Sequence, residues 1–349
     1  MITRFEDLSN EIIYEIFDFL HIDQTHQTFS SLNRRFDNLL MYSTFPIHIN
    51  RPSMGKSSFD QYYQKIIRRY RHRIVLLRLP NIFTVDLVFS SARNIKEFTR
   101  LETLILENID SIRFRDFVLY HLTSVLTLRS LTVVLNDLVS DKSTLYQAIF
   151  HLPALKYCKL SFQADYMWHI ISRATNESSP IEQLVIENDG NFDELYSVLS
   201  YLPQLRRLSW HKLSYVHNKQ AIAEQTKLKH LTHLNLELRV TDFDQFEAMI
   251  VHLFPRVEVL HLSTSFSHEY LDADRWQRLI SCSMPQLRVF DLQHQDNVRT
   301  SDEALLTSAR LKHTFTSSFW LEHQWYFTHQ FFLQQGLYQV IFYSTNPYR

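Results

Sequence analysis

The chain has 349 residues, 45% of them apolar and 21% charged, with a formal net charge of −1; that is length for about two domains and enough apolar side chain for a core. Only three residues are glycine, Gly55, Gly190 and Gly336, no two closer than 135 positions, which excludes dinucleotide fingerprints, Walker loops, kinase glycine loops and hydrolase elbows. The charge is uneven, −4 over residues 1–50 and +8 over residues 51–100, but the near-neutral total gives no sign of nucleic-acid binding. Cys158 and Cys282, both in apolar sequence, predict two buried thiols and a reducing compartment, cytoplasm or nucleus. No apolar h-region opens the sequence and no apolar run approaches about 18 residues, so neither a signal peptide nor a membrane span is expected.

In chain order, the first element is a helical hairpin. Ile12, Ile13, Ile16, Phe17 and Leu20 make one apolar face. Leu32, Phe36, Leu39 and Leu40 make another, with Arg34 and Arg35 outside. About forty residues hold little core alone, so the hairpin either caps the rest of the chain or docks on a partner. The wording Leu8-Ser9-Asn10-Glu11-Ile12-Ile13, then Ile16-Phe17 and Leu20, then Leu32-Asn33-Arg34-Arg35-Phe36 resembles an F-box. Phe45 stands near the tryptophan that often closes that motif. Two departures show: Ser9 stands where the family has proline, and the middle helix, usually apolar, reads Gln24-Thr25-His26-Gln27-Thr28. The resemblance implies a Skp-family adaptor, itself part of a cullin ligase complex, gripped through Leu8, Ser9, Ile12, Ile16, Phe17, Leu20, Leu32 and Phe36.

Residues 49–73 follow as a linker or helix. Its basic run, Lys65, Arg68, Arg69, Arg71 and Arg73, suits the C-terminal end of a helix and reads as a solvated face.

From Ile74 the chain repeats. The frame apolar-x-x-apolar-x-apolar begins at Ile74, Leu101, Leu128, Leu155, Ile181, Leu205, Leu231, Val257 and Leu287, in steps of 24 to 30 residues. Chance would place such a frame in roughly one window in ten, but not at a regular pitch. Pro153, Pro203, Pro255 and Pro285 each stand two residues before a frame, where proline stops a helix and favours extended backbone. Phe192, Leu195, Leu199 and Leu202 have helical spacing, as do Phe243, Phe246, Ile250 and Leu253, with Asn191 and Asp242 placed as N-caps. Each unit therefore predicts helix, proline stop and short strand. The frame resembles the core of leucine-rich repeats, although the asparagine usual three residues after the last leucine is mostly missing. The resemblance implies a solenoid with parallel strands on the concave face and helices on the convex one.

Within each frame, residues alternating with the buried pair should point out of the sheet. One such column is Arg78, Ile105, Thr132, Lys159, Val185, Ser209, Asn235, His261 and Asp291. Substrate contact is expected on its C-terminal part, at Lys159, Arg207, His211, His233, Asn235, Glu237, His261 and Asp291. The tail carries Phe315, Phe319, Trp320, Trp325, Tyr326, Phe327, Phe331 and Phe332, then a turn at Gln335-Gly336, which predicts a β-hairpin cap for the array. Eighteen histidines invite a metal reading, but the tightest pair, His230 and His233, has no third ligand nearby in sequence.

The expected fold is α/β: an α-helical F-box at 1–48, a linker or helix at 49–73, about nine leucine-rich repeats at 74–313, and an aromatic β cap at 314–349. The expected function is the substrate-recognition subunit of a Skp–cullin–F-box ubiquitin ligase, binding a protein substrate without catalysis, metal or cofactor and without nucleic acid or membrane. The alternative is a repeat scaffold whose N-terminal hairpin only caps the array. The two differ at one face: a receptor leaves Ile12, Ile16 and Leu20 exposed, whereas a cap buries them.

Overall fold

The computed structural model describes residues 4–30, 32–51, 54–89, 95–164, 173, 178–214, 227–298, 314–334 and 337–345. The expected turn at Gln335-Gly336 and the expected end of the repeats near 313 fall outside the described residues. The protein is mixed α/β, and its chain divides into two compact units, residues 1–136 and 137–349.

The first unit begins with three helices, α1 (Asn10–Asp18), α2 (Ile22–Phe29) and α3 (Arg34–Tyr42). They close over a small core of Ile13, Phe17, Phe29, Phe36, Leu39 and Leu40. A short strand, β1 (Ile47–Ile49), precedes α4 (Lys56–Tyr62), which runs through a π turn (Tyr63–Ile67) into a last helical turn, α5 (Arg68–Tyr70). Then come β2 (Ile74–Leu79), α6 (Ile82–Phe89), β3 (Thr103–Ile109), α7 (Ser111–Tyr120) and β4 (Ser130–Val139), whose last residues cross into the second unit. Strands β1 to β4 pair in parallel in chain order.

The second unit continues the alternation. It holds α8 (Lys142–Phe150), β5 (Tyr157–Ala164), β6 (Gln183–Ile186), the two-residue β7 (Gly190–Asn191), α9 (Phe192–Ser200), β8 (Arg207–Ser214) and β9 (His233–Arg239). It ends with α10 (Phe243–Leu253), β10 (Val259–Ser265), α11 (Ala273–Ser283), β11 (Val289–Val298), α12 (Ser318–Glu322), β12 (Phe327–Gln334) and β13 (Leu337–Ser344). The sheet order is β5-β6-β8-β9-β10-β11-β13-β12, with β7 beside β8. Pairing is parallel as far as β11, and β13 and β12 join antiparallel as a terminal hairpin.

The frames explain this order. All three apolar positions of all nine frames are buried. Each frame after the first starts two residues ahead of its strand, so the first apolar residue packs under the turn and the next two line the inner face. Pro153, Pro203, Pro255 and Pro285 fall between helix and strand as expected. Asn191 caps α9, its Oδ1 accepting the Glu194 N–H at 2.8 Å. At α10 the Asp242 N–H donates to Gln245 Oε1 at 3.3 Å, one half of a capping box. The helices cover the inner face: Tyr146 of α8 meets Phe162 of β5, and Trp276 of α11 meets Phe290 of β11. Behind the hairpin, Phe290, Phe315, Trp320, Trp325, Phe327 and Phe342 pack ring against ring. In the first unit an asparagine ladder supplies the turn bonds that the repeat pattern lacked: Asn108 Nδ2 donates to Pro80 O at 3.0 Å and Asn136 Nδ2 to Asn108 O at 3.5 Å.

Three expectations are corrected. Cys158 is buried, but Cys282 is exposed, because it lies on the outer side of α11 while Trp276, Leu279 and Ile280 hold the inner side. The basic run is a solvated face only in part, at Lys65 and Arg68. Arg73 is buried and donates to Leu40 O at 2.7 Å, Ser43 Oγ at 3.0 Å and Phe45 O at 3.2 Å, while Arg69 pairs with Asp37 at 2.7 Å. Nor do Ile12, Ile13, Ile16, Phe17 and Leu20 form one face: Ile13 and Phe17 point inward and Ile12 outward.

Candidate functional site

Two surfaces gather the residues singled out from the sequence. The first is the outer side of α1. The helix starts at Asn10, with Ser9 in the N-cap position in extended backbone (φ −66°, ψ 159°), and the Ser9 hydroxyl accepts no helix N–H. Arg35 fixes this end from α3, donating to Leu8 O at 2.6 Å and Asn10 Oδ1 at 2.7 Å.

Of the eight residues expected to face an adaptor, the structure separates core from surface. Phe17 is 8% exposed and Phe36 0%; both belong to the three-helix core and are unavailable to a partner. Leu8 and Leu20 are half-buried against that core, and Ile16 is half-buried. Ser9 is exposed, as are Ile12 at 45% and Leu32 at 52%. The residue missed is Phe19, 90% exposed just past the end of α1. Ile12, Ile16 and Phe19 stand at i, i+4 and i+7 and so share one helix face. That spacing was present in the sequence, but the neighbouring Ile13, Phe17 and Leu20 offer the same periodicity one residue on.

The polar middle helix also has its explanation here. Asp23 and Thr25 of α2 are buried. Tyr62 Oη donates to Asp23 Oδ1 at 3.0 Å, and Arg51 pairs with the same carboxylate. His26 Nδ1 lies 3.2 Å from Tyr70 Oη. Burial pushes the Tyr62 phenol up to about 12, so it stays a donor. A cavity of about 780 Å3 opens beside these groups, lined among others by Asp23, Arg51, Tyr62 and Arg73. These four groups are already bonded to one another, to Ser43 and to backbone.

The second surface is the open face of the sheet, opposite the helices. The column expected from the sequence holds in register within each unit. Arg78 sits opposite Ile105 and Ile105 opposite Thr132. Lys159, Val185, Ser209, Asn235, His261 and Asp291 follow one another across six strands. Arg207 and His233 form the neighbouring row.

Most charges on this face are paired. Arg78 meets Glu107 at 3.0 Å, Lys159 meets Glu187 at 2.7 Å, and His211 and Arg239 flank Glu237 at 3.7 and 3.6 Å. His261 Nδ1 lies 3.1 Å from Asp291 Oδ2, and Ser344 donates to the other oxygen of that carboxylate. Asn235 Nδ2 donates to Ser209 Oγ at 3.2 Å. A shallow cavity of about 200 Å3 lies here, lined by Gln183, Arg207, Ser209, His233, Asn235 and His261. Burial, and then the Arg207 guanidinium, hold His233 below the usual histidine range.

Among the described residues no three His, Cys, Asp or Glu side chains gather as a metal-binding set. His230 is exposed, and His233 Nδ1 faces Thr232 Oγ1 at 2.9 Å. Among the same residues no helix is long and apolar enough to cross a membrane. A scan against protein-family models and a search of curated proteins found no match.

Proposed function

We propose that the protein is a non-catalytic substrate receptor of a Skp–cullin–F-box ubiquitin ligase, working in the cytoplasm or nucleus. The N-terminal helices dock a Skp-family adaptor, and the open face of the strand array holds a protein substrate. The array is read as leucine-rich repeats and the helices as an F-box. Receptors of this kind act by proximity and orientation, so no nucleophile or metal is required of them.

One observation carries this reading above the scaffold alternative. The three helices have a core of their own, yet Ile12 and Phe19 stay in solvent with Ile16 half-covered between them. A hairpin that only capped the array would spend this apolar stripe on the array.

The test is a pull-down of a purified Skp-type adaptor with the full chain. Ile12→Asp with Phe19→Asp places two carboxylates in the contact, costing several kcal/mol if they are buried unpaired. Capture should vanish while the melting temperature holds, since neither side chain is in the core. Unchanged capture would refute the receptor reading.

A further inference from the structure

We infer that the shallow cavity around Arg207, on the open face of β6, β8, β9 and β10, takes an acidic side chain from an extended peptide. The inference rests on the receptor reading for its setting and names the class of substrate.

Charge pairing singles out Arg207. Around it, Lys156 and Arg206 share Glu182 at 2.8 and 3.5 Å, Lys159 has Glu187, Lys212 has Asp189, Arg239 has Glu237 and Arg288 has Glu258. Arg207 has no carboxylate partner among the described residues, although it is exposed and lines the cavity. The carboxylates nearest to this row are held by other cations and do not neutralise it.

The groups beside Arg207 suit an anion. His233 Nδ1 is engaged by Thr232 and His261 Nδ1 donates to Asp291, so each ring can donate to an anion from Nε2 once it is protonated. Ser209 accepts from Asn235 and keeps its own hydroxyl proton to donate. Gln183 adds an amide. A guanidinium fork with neighbouring donors matches a carboxylate or a phosphate. At about 200 Å3 the cavity falls short of the ~300–1,000 Å3 usual for whole small-molecule ligands and suits a side-chain head group. The row Ser209, Asn235 and His261 then continues across the strands as a file of hydroxyl, amide and imidazole groups. A chain lying across the strands finds hydrogen-bond partners there on the β9 and β10 side of its anchored acid.

Protonation should follow binding. His233 faces Arg207 and His261, which disfavour its charged form, and Glu258, which favours it. An anion at Arg207 offsets the guanidinium, so binding takes up a proton and tightens as the pH falls toward the histidine range.

The experiment probes the full-length protein with an array of short, otherwise uncharged peptides whose central residue is glutamate, phosphoserine, alanine or lysine. Glutamate or phosphoserine spots should be retained about ten-fold or more above alanine, the scale of one charge-assisted bond. Arg207→Gln should abolish that preference. Retention of glutamate alone, or of phosphoserine as well, supports the site and identifies the anion as carboxylate or phosphate. No preference over alanine, a preference for lysine, or an acidic preference that survives Arg207→Gln overturns it. Adaptor capture is measured on the same samples. Its absence in the unsubstituted chain counts against the receptor reading alone, since the array reads only the sheet face.

Discussion

Removing the Arg73 side chain tests how the N-terminal helices are held to the first strands. Arg73 is 5% exposed, and its guanidinium sits at the C-terminal end of α3, where carbonyls lack intrahelical partners. It makes three bonds, to Leu40 O, Ser43 Oγ and Phe45 O, so it closes the helix and the segment after it together. A cation is also favoured at this end of the helix dipole. Arg73→Met keeps the stem and removes the donors. Hydrogen bonds to charged groups are each worth about 1.5–3 kcal/mol, and stranded acceptors add desolvation cost. Relief of burying the guanidinium, which already depresses its pKa, offsets part of this. Three such bonds less that relief leave a net loss of about 3–5 kcal/mol. Arg73→Lys, a point donor without the fork, should fall between. Urea unfolding gives the magnitude, and amide exchange gives the place: protection should drop first over residues 40–45. A loss below about 1 kcal/mol, or unchanged exchange there, would refute the assignment of Arg73 as the tie.

Gly190→Ala should destabilise by about 1–3 kcal/mol, because a Cβ there would stand 2.8 Å from the buried Trp210 Nε1; pairing it with Trp210→Leu should recover part of the loss in thermal melts. His294 is buried with Nδ1 on Thr264 Oγ1, and burial pulls its pKa from 6.5 to about 4. The neutral form is the folded one, so its contribution is complete above pH 6.5 and fades as the pH falls to about 4, by about 3 kcal/mol in all; His294→Asn should flatten that part of a stability–pH curve. Ser9→Pro should raise stability by about 0.4–1 kcal/mol. The φ of Ser9 already suits proline, Leu8 before it is extended, and the hydroxyl it would lose caps no N–H; a fall in melting temperature would contradict this.

Much of the fold was legible because it repeats. A three-position frame recurring nine times reports the same burial decision each time, so an error at one unit is outvoted by its neighbours. Proline adds an independent signal, since its missing N–H and fixed φ end a helix whatever the tertiary setting. The parallel register followed directly: once the frames align, Ser209, Asn235, His261 and Asp291 must share a column. The asparagine ladder was hidden because Asn108 comes two residues after the last apolar position of its frame, whereas Asn136 comes three after. Asn108 also adopts positive φ, which composition does not reveal.

The surfaces were less legible because they depend on pairings between distant residues. Lys159 and Arg207 look alike in sequence, yet Glu187 neutralises one and nothing described neutralises the other. The same holds at the N-terminal helices. Their middle helix is polar, but Asp23 and His26 are bonded to Tyr62 and Tyr70. With Arg73 closing α3, Arg51 and residues 54–73 work as the floor of the helical module and not as a tether. A truncation at residue 48 would therefore strand Tyr62, Tyr70 and Arg73 without partners and unsettle the first strands, so lost binding could not be attributed to the adaptor face. Substitutions confined to Ile12 and Phe19, which lie outside the buried core of the three helices, separate the proposed adaptor docking from folding.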